Sequence, residues 1–583
     1  MLWCDDNWGN LRRLPTGDEQ NRTGGAGIYY HFDYVGTPRS YKWLNTNPLP
    51  KIWEQMNMAA NYGATRIWIV NVGDLKPMEL PIEFFLRMAW YPPAIGKEGI
   101  STWTQRWAER EFGKEHAADI ADLVSKYAKY NGWRKPELLE PSTFSLINYH
   151  EAETVSDLWQ KLATQAEQIG AQLPPEYHDA YYELVLYPVK ACAGVAKLHI
   201  ETGFNQLYAK QGRASANDAA QSVRNLFQED QKLSDAYHQV AKGKWNHMMA
   251  QPHIGYTSWN DPKTNILPTL AEVKVPDTAS MGVSIEGSSA AWPGNSTIAK
   301  LPTFDAINQQ RQSIDIFRRG TQAFPITLTA NQPWVKLSTA SVTVDKDQRV
   351  WVSIDWDKAS VGQQNATVTI TGPSGESVLV QLETLRDAKF TKDNVHAFGG
   401  LTGPVAIDAS QGRNMPTNKF SWEPISDYGR GLSAMEVFPV NAESILPPKE
   451  APHLDYPVFV PKAGQVHVDL ITGPTLNVQP DRGVRIAVSF DDQPPQVVDA
   501  YAGQGFTNPT KRSDSSAPAT RDWSKWVKDN ARTIKSDLQI TEAGVHTLKV
   551  WMVDPGVPLE KIIVHTDALP SSYFGPPVQP GLE

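Results

Sequence analysis

The sequence predicts a multidomain chain written in three successive grammars: α/β, then α, then β. Three observations carry this. Over residues 1–100, short apolar runs that end in polar clusters alternate with helical stretches; residues 101–260 show helical apolar spacing; from 281 onward the chain alternates with period two between turn residues. A chain of 583 residues is also too long for one core. The expected division is 1–100, 101–260, a linker at 261–280, a β-sandwich module at 281–385 and a second β-sandwich at 386–583.

Leu2-Trp3-Cys4 reads as a first short strand and Ile28–Asp33 as a second. Lys51–Tyr62 has helical spacing through Ile52, Met56, Ala59 and Ala60, with Gly63 as a stop. Arg66–Asn71 is a third strand, apolar enough for burial on both faces, and Leu80–Trp90 a helix. A strand that delivers Asp, Asn or His to its end is how α/β barrels present chemistry. Three βα steps cannot close a barrel of eight, so these read as its last three, with the expectation that the front of the catalytic domain is missing.

The helical region is clearest at Val223, Leu226, Phe227, Leu233, Tyr237 and Val240, and Pro188 should kink or split the helix expected over Tyr177–Lys210. The GKWNHMMAQPHIGYTSW stretch (243–259) is denser in His, Trp and Asn than a bundle needs, and is expected beside the barrel mouth. Strands are expected at 341–344, 350–354 and 366–371, then near 456–460, 465–471, 484–490, 546–553 and 560–565. Residues 502–530 read as a long polar loop, and 570–583 as a tail.

Composition excludes several classes. A formal charge of -9 argues against a general nucleic-acid binder. No run of about 18 apolar residues predicts a transmembrane helix, and no polybasic anchor is present. Cys4 and Cys192 do not make a disulfide framework or a metal cluster. No P-loop, Rossmann fingerprint, zinc motif or nucleophile elbow occurs, so neither cofactor nor metal is expected. The 20 Trp and 20 Tyr shift the odds only slightly toward carbohydrate.

The segments WCDDNWGNLRRLP (3–15), GGAGIYYHFDYVGTPRSYKW (24–43), IWEQMNMAANYGATRIWIVNVGDLKPMELP (52–81), NQLYAKQGRASAND (205–218) and GKWNHMMAQPHIGYTSW (243–259) resemble glycoside hydrolase family 115, the xylan α-1,2-glucuronidases. The β-rich end resembles the family's carbohydrate-binding-like C-terminal modules. The resemblance implies removal of glucuronic or 4-O-methylglucuronic acid from glucuronoxylan or glucuronoarabinoxylan, with inversion, in an extracellular or periplasmic setting; a homodimer is among the assemblies considered. It implies Asp5 as the carboxylate near the reacting centre and Asn7, His31 and Tyr34 as contacts to the uronic acid. The further carboxylates that the family uses have no counterpart here, so the chain alone is expected to be inactive. The alternatives are a non-catalytic carbohydrate-binding or structural remnant, and a barrel hydrolase acting on another uronate.

Read on their own, these residues leave bland alternatives open. Asp5, Asp6 and Asn7 also suit a turn or a cap. His31 in an aromatic run also suits a satisfied core group. Strand alternation sets Tyr29, His31 and Asp33 on one face and Tyr30, Phe32 and Tyr34 on the other, with Tyr34 near enough to the strand end to turn toward substrate. Asn71 and Asp74 divide evenly between sugar contact and loop bracing. Arg12 and Arg13 favour surface pairing over a uronate fork.

Overall fold

A computed structural model describes residues 1–479, 482–502 and 522–582. Strands β1 (Leu2–Cys4), β2 (Gly27–His31) and β3 (Trp68–Asn71) form a parallel sheet in that order, with Trp3 opposite Ile28 and Ile28 opposite Trp68. Helix α1 (Leu49–Asn61) crosses from β2 to β3, and α2 (Glu79–Trp90) follows β3. Pro50 sits in the first turn of α1, where a missing N–H costs nothing, and Gly63 at φ +80° ends it. Ile28, Tyr30 and Phe32 bury one sheet face, and Tyr30 and Phe32 both meet the Phe85 ring of α2 at 6.0 Å.

The other face of the sheet is open. Ile67 and Ile69 are 51% and 39% exposed, which corrects the expectation of burial on both faces. The physical reason is that helices cover one side of a three-stranded sheet here. The described residues add no further strand to this sheet and do not close it into a barrel.

Helices α3 (Ile100–Phe112), α4 (Ala117–Trp133), α5 (Glu151–Gln172), α6 (His178–Tyr181), α7 (Tyr187–Gln211) and α8 (Ala216–Tyr237) make the helical part. Pro188 does not split its helix. A π turn over Tyr182–Leu186 joins α6 to α7, placing the residue without an N–H in the first turn of α7. Sheet and helices share one continuous apolar cluster, from Leu11 and Ile28 through Trp159 to Tyr237. The division at residue 100 is therefore a change of sequence grammar inside one packed body.

Two sheets form the first sandwich. One orders Met281–Ile285, Gln312–Arg318, Asp347–Ile354 and Val335–Leu337; the other is built on Phe324–Ala330, Gly362–Thr371 and Ser377–Arg386. Phe324, Ile326 and Leu328 point inward while Pro325 and Thr327 point out, as period-two patterning requires. The second sandwich packs Ser433–Phe438, Leu559–His565, Gly464–Thr472 and Arg532–Ile540 against His453–Val460, Gly544–Met552 and Arg485–Phe490. The loop expected at 502–530 falls mostly on 503–521, outside the described residues. Its end is a helix, Trp523–Asp529. Ile425, Tyr428, Val440 and Val527 of this module join the core of the N-terminal body.

Candidate active site

Three strand ends meet at one edge of the N-terminal sheet. After β1 the chain turns sharply: Asn7 lies at φ +69° and Gly9 at +78°, left-handed conformations that Asn and Gly tolerate. The turn is organised by Asp5, whose carboxylate accepts hydrogen bonds from the backbone N–H groups of Asn7 (2.9 Å), Gly9 (3.2 Å) and His31 (3.0 Å). Its Oδ1 also lies 2.6 Å from His31 Nδ1. Asp5 is 1% exposed. Burial pushes its carboxyl above the usual range, opposed by the His31 hydrogen bond. Asp5 thus faces His31 and the turn. Asn7 and His31 remain half-buried at the rim.

Asp6 takes the opposite side, as alternation requires. It accepts from Trp8 N (3.0 Å), Asn10 N (3.1 Å), Asn10 Nδ2 (3.0 Å) and, across the module boundary, Trp523 Nε1 (2.9 Å). Of the turn and the cap that the sequence left open for it, the structure shows the turn, with no helix following at 11–13. Arg13 pairs with Glu19 at 2.6 Å and lies over the Trp3 ring, the structural alternative for that residue.

Tyr34 does not turn back toward the rim. It is 3% exposed, its ring lies 4.4 Å from that of Trp8, and its hydroxyl donates to Glu137 Oε1 at 2.9 Å. Glu137 comes from the helical part, just after α4. Burial pushes its carboxyl up to about 7, and its Oε2 is buried with no hydrogen-bond partner. Beside it, burial lowers Lys135 to about 8; this ammonium donates to Thr46 Oγ1 (2.9 Å) and lies over the Trp8, Tyr34 and Tyr41 rings. The four predicted site residues therefore separate. Asp5, Asn7 and His31 stand together, and Tyr34 belongs to a buried Trp8–Lys135–Glu137 cluster behind them.

The rim holds groups beyond the four assigned site residues. Asp33 continues the face of His31, and burial raises its carboxyl to about 6 against the pull of Lys42. It touches the Asn71–Asp74 turn so closely that a Cβ on Gly73 would lie 2.4 Å from Asp33 Oδ2. Of the 243–259 stretch expected beside the mouth, the part with His253 and Tyr256 runs along this edge, and Asp261 follows it. His253 stacks on Trp43 at 3.6 Å, Tyr256 lies under Arg39 at 5.8 Å, and Asp261 pairs with Lys42 at 3.1 Å. Asp33 was legible from strand alternation. Glu137, in a Lys-Pro-Glu turn with no periodic context, carried no signal. Among the described residues, no group of three or more His, Cys, Asp or Glu is arranged around a metal ion, and no helix is long and apolar enough to cross a membrane.

Residues 1–138 match glycosyl hydrolase family 115, and residues 398–578 match the C-terminal domain of that family. No curated protein matches. Among solved structures, the chain is similar to BtGH115A, described as a 4-O-methyl-α-glucuronidase with specificity for decorated arabinogalactans. The TM-score is 0.61 at 20% identity, over 97% of this chain and 55% of that one. The chain thus spans about half the length of that relative, and the likeness at this identity is one of fold. Weaker overlaps cover 28% of this chain and all of two carbohydrate-binding modules. One is of family 35 from Clostridium thermocellum (9% identity, TM-score 0.18), the other of family 6 from Zobellia galactanivorans (14%, 0.17), and nothing below rests on them.

Proposed function

The chain belongs to glycoside hydrolase family 115, and on that premise we propose that it serves the release of glucuronic or 4-O-methylglucuronic acid from the α-1,2-linked side chains of xylan, by inversion and without a cofactor. The observation that carries this reading is the Asp5–His31 pair at adjacent strand ends. A carboxylate only accepts, so with Asp5 ionised Nδ1 of His31 holds the hydrogen and Nε2 is left for the sugar. Asp5 therefore acts through His31 as a positioning residue. Asn7 stands beside it, held in its left-handed turn by its backbone N–H donating to Asp5.

Inverting hydrolysis needs two carboxyl groups about 6.5–9.5 Å apart, one protonated and one charged. Asp5, sealed under its four contacts, is available for neither task. Asp33 is a partly open strand-end carboxyl, kept protonated up to about pH 6, which suits hydrogen-bond donation to a uronate. The proposed substrate is glucuronoxylan or glucuronoarabinoxylan, met outside the cytoplasm. The sealed Asp5 supports the second reading, a folded remnant that binds glycan without turnover.

The test is uronic acid release from glucuronoxylan, glucuronoarabinoxylan and glucuronate-decorated arabinogalactan, by this chain and by its His31→Ala variant, alongside binding of 4-O-methylglucuronic acid followed by NMR. Loss of one strengthened hydrogen bond to a desolvated sugar costs about 2–4 kcal/mol, or roughly 30- to 1,000-fold in rate. Release by the variant within about threefold of the parent chain refutes the site. Binding without release from any of the three glycans selects the remnant.

A further inference from the structure

We propose that Glu54 and Glu436 form a proton-operated latch where α1 meets the C-terminal sandwich, closed while Glu436 is protonated and loosened as pH rises. The strand Ser433–Phe438 divides its faces between two cores. Met435 and Val437 enter the sandwich core, whereas Ala434 belongs to the core of the N-terminal body and Phe438 packs against it. Alternation sets Glu436 on that second face, between Ala434 and Phe438. A carboxyl group is thereby driven into an apolar seam, and no part of it is exposed.

Four carboxyl groups gather at this seam, and three of them have partners. Glu423, directly opposite Glu436 on the neighbouring strand, pairs with Lys97 at 3.2 Å. Glu560 accepts from the backbone N–H of Arg430 at 2.9 Å, and burial raises its carboxyl to about 7. Glu54, on α1 and 1% exposed, accepts from Gln55 Nε2 at 2.7 and 3.0 Å and from Lys51 Nζ at 3.5 Å. Glu436 has neither oxygen bonded to any donor among the described residues.

The charges that bear on Glu436 are those of Glu54 and Lys51. Lys51 brings one ammonium for two carboxyls, and it also donates to the Tyr428 hydroxyl at 3.1 Å. Tyr428 is the phenol of the cluster, and burial keeps its proton on. Two carboxylates sealed together beside one ammonium cannot both ionise without leaving an uncompensated buried charge. The unpartnered one keeps its proton. Burial first, and then the Glu54 charge, hold the Glu436 carboxyl well above its ordinary range.

The sign of the pH dependence follows. Once the seam opens and water reaches Glu436, its carboxyl returns to its ordinary value near 4.5. Above that pH the closed seam holds one proton more than the open one. Each further pH unit then raises the open population by about tenfold, until pH passes the closed value. The seam is tightest in acid. The same module boundary carries the bond from Trp523 to Asp6, so the turn after β1 loosens with it.

The experiment follows hydrogen exchange of the whole chain at about pH 5.5 and 7.5, corrected for intrinsic exchange rates. Opening at α1 and Ser433–Phe438 is expected to rise by about 100-fold or more over those two units. Glu436→Gln, neutral at both pH values and equal in size, cuts that rise by about tenfold or more. Glu54→Gln leaves one carboxyl for one ammonium and reduces it as well, whereas Glu423→Gln leaves the latch intact and keeps the parent slope. Infrared spectroscopy at pH 7.5 adds a readout that a merely structural role would not move: the parent shows a protonated-carboxyl band that Glu436→Gln removes. The proposal is overturned by seam protection that does not change with pH, by a slope that survives Glu436→Gln, or by an unchanged protonated-carboxyl band in that variant.

Discussion

Replacing Asp5 by alanine should unlock the first strand end without unfolding the chain. The carboxylate satisfies three backbone N–H groups, of Asn7, Gly9 and His31, and orients one imidazole. The Gly9 bond is buried and the other two backbone bonds are half-buried. Hydrogen bonds to a charged acceptor contribute about 1.5–3 kcal/mol each, and a buried N–H left without a partner costs about 1–3 kcal/mol. The sum is not simple, because the burial that raises the Asp5 carboxyl shows that the charge itself costs free energy. A net local loss of about 3–4 kcal/mol is expected, which is roughly a 100- to 1,000-fold rise in opening of the 5–9 turn. Hydrogen exchange at the amides of Asn7, Gly9 and His31 reads this directly. Most of the chain should keep its protection, since the turn lies at an edge strand of a sheet whose Ile28, Tyr30 and Phe32 face packs on a large core. Protection in the variant within about threefold of the parent would refute the reasoning, because Asp5 would then not organise the turn.

Other consequences follow from the same packing. His150 pairs with Glu153 of its own helix (3.0 Å) and, across to the first sandwich, with Glu286 (3.2 Å), which together raise it to about 9. A raised histidine stabilises the fold fully below its unfolded value near 6.5, and that share is lost as pH rises through 9. The unfolding free energy should therefore fall between pH 6.5 and 9 by about 2 kcal/mol after allowance for solvent screening, read as a falling melting temperature, and His150→Gln should flatten that slope. Gly73→Ala should displace Asp33 and cost about 1–3 kcal/mol, since φ is +62° and the new methyl group meets the carboxylate; an unchanged melting temperature would show that the turn yields freely. A fragment of residues 278–386 has its own closed core and should melt cooperatively with β-type circular dichroism, whereas residues 398–578 alone uncover Ile425, Tyr428 and Val440 and should melt at lower temperature or aggregate.

Read alone, the sequence determined the order of the α/β, α and β parts and most of their elements. Hydrophobic periodicity is local, and each segment carries its own. The strand at 560–565, the α1 stripe of Ile52, Met56 and Ala59, and the inward Ile326 and Leu328 can all be read from neighbours a few residues away. So can the split of Tyr29, His31 and Asp33 from Tyr30, Phe32 and Tyr34, because side-chain alternation along a strand is strict. Tertiary structure alone decided what each polar group faces. Asp5 read as a carboxylate near the reacting centre, and its partners Gly9 and His31 are brought to it only by a turn and a strand pairing. Tyr34 looked like a sugar contact because Glu137, which claims its hydroxyl, lies 103 residues away. The domain boundary at 100 dissolved for the same reason: burial depends on what packs across long separations, and the helices that cover Tyr30 and Phe32 belong to one core with the bundle. A hydrogen-bond partner or a covering helix is fixed by distance in space, which local pattern does not encode.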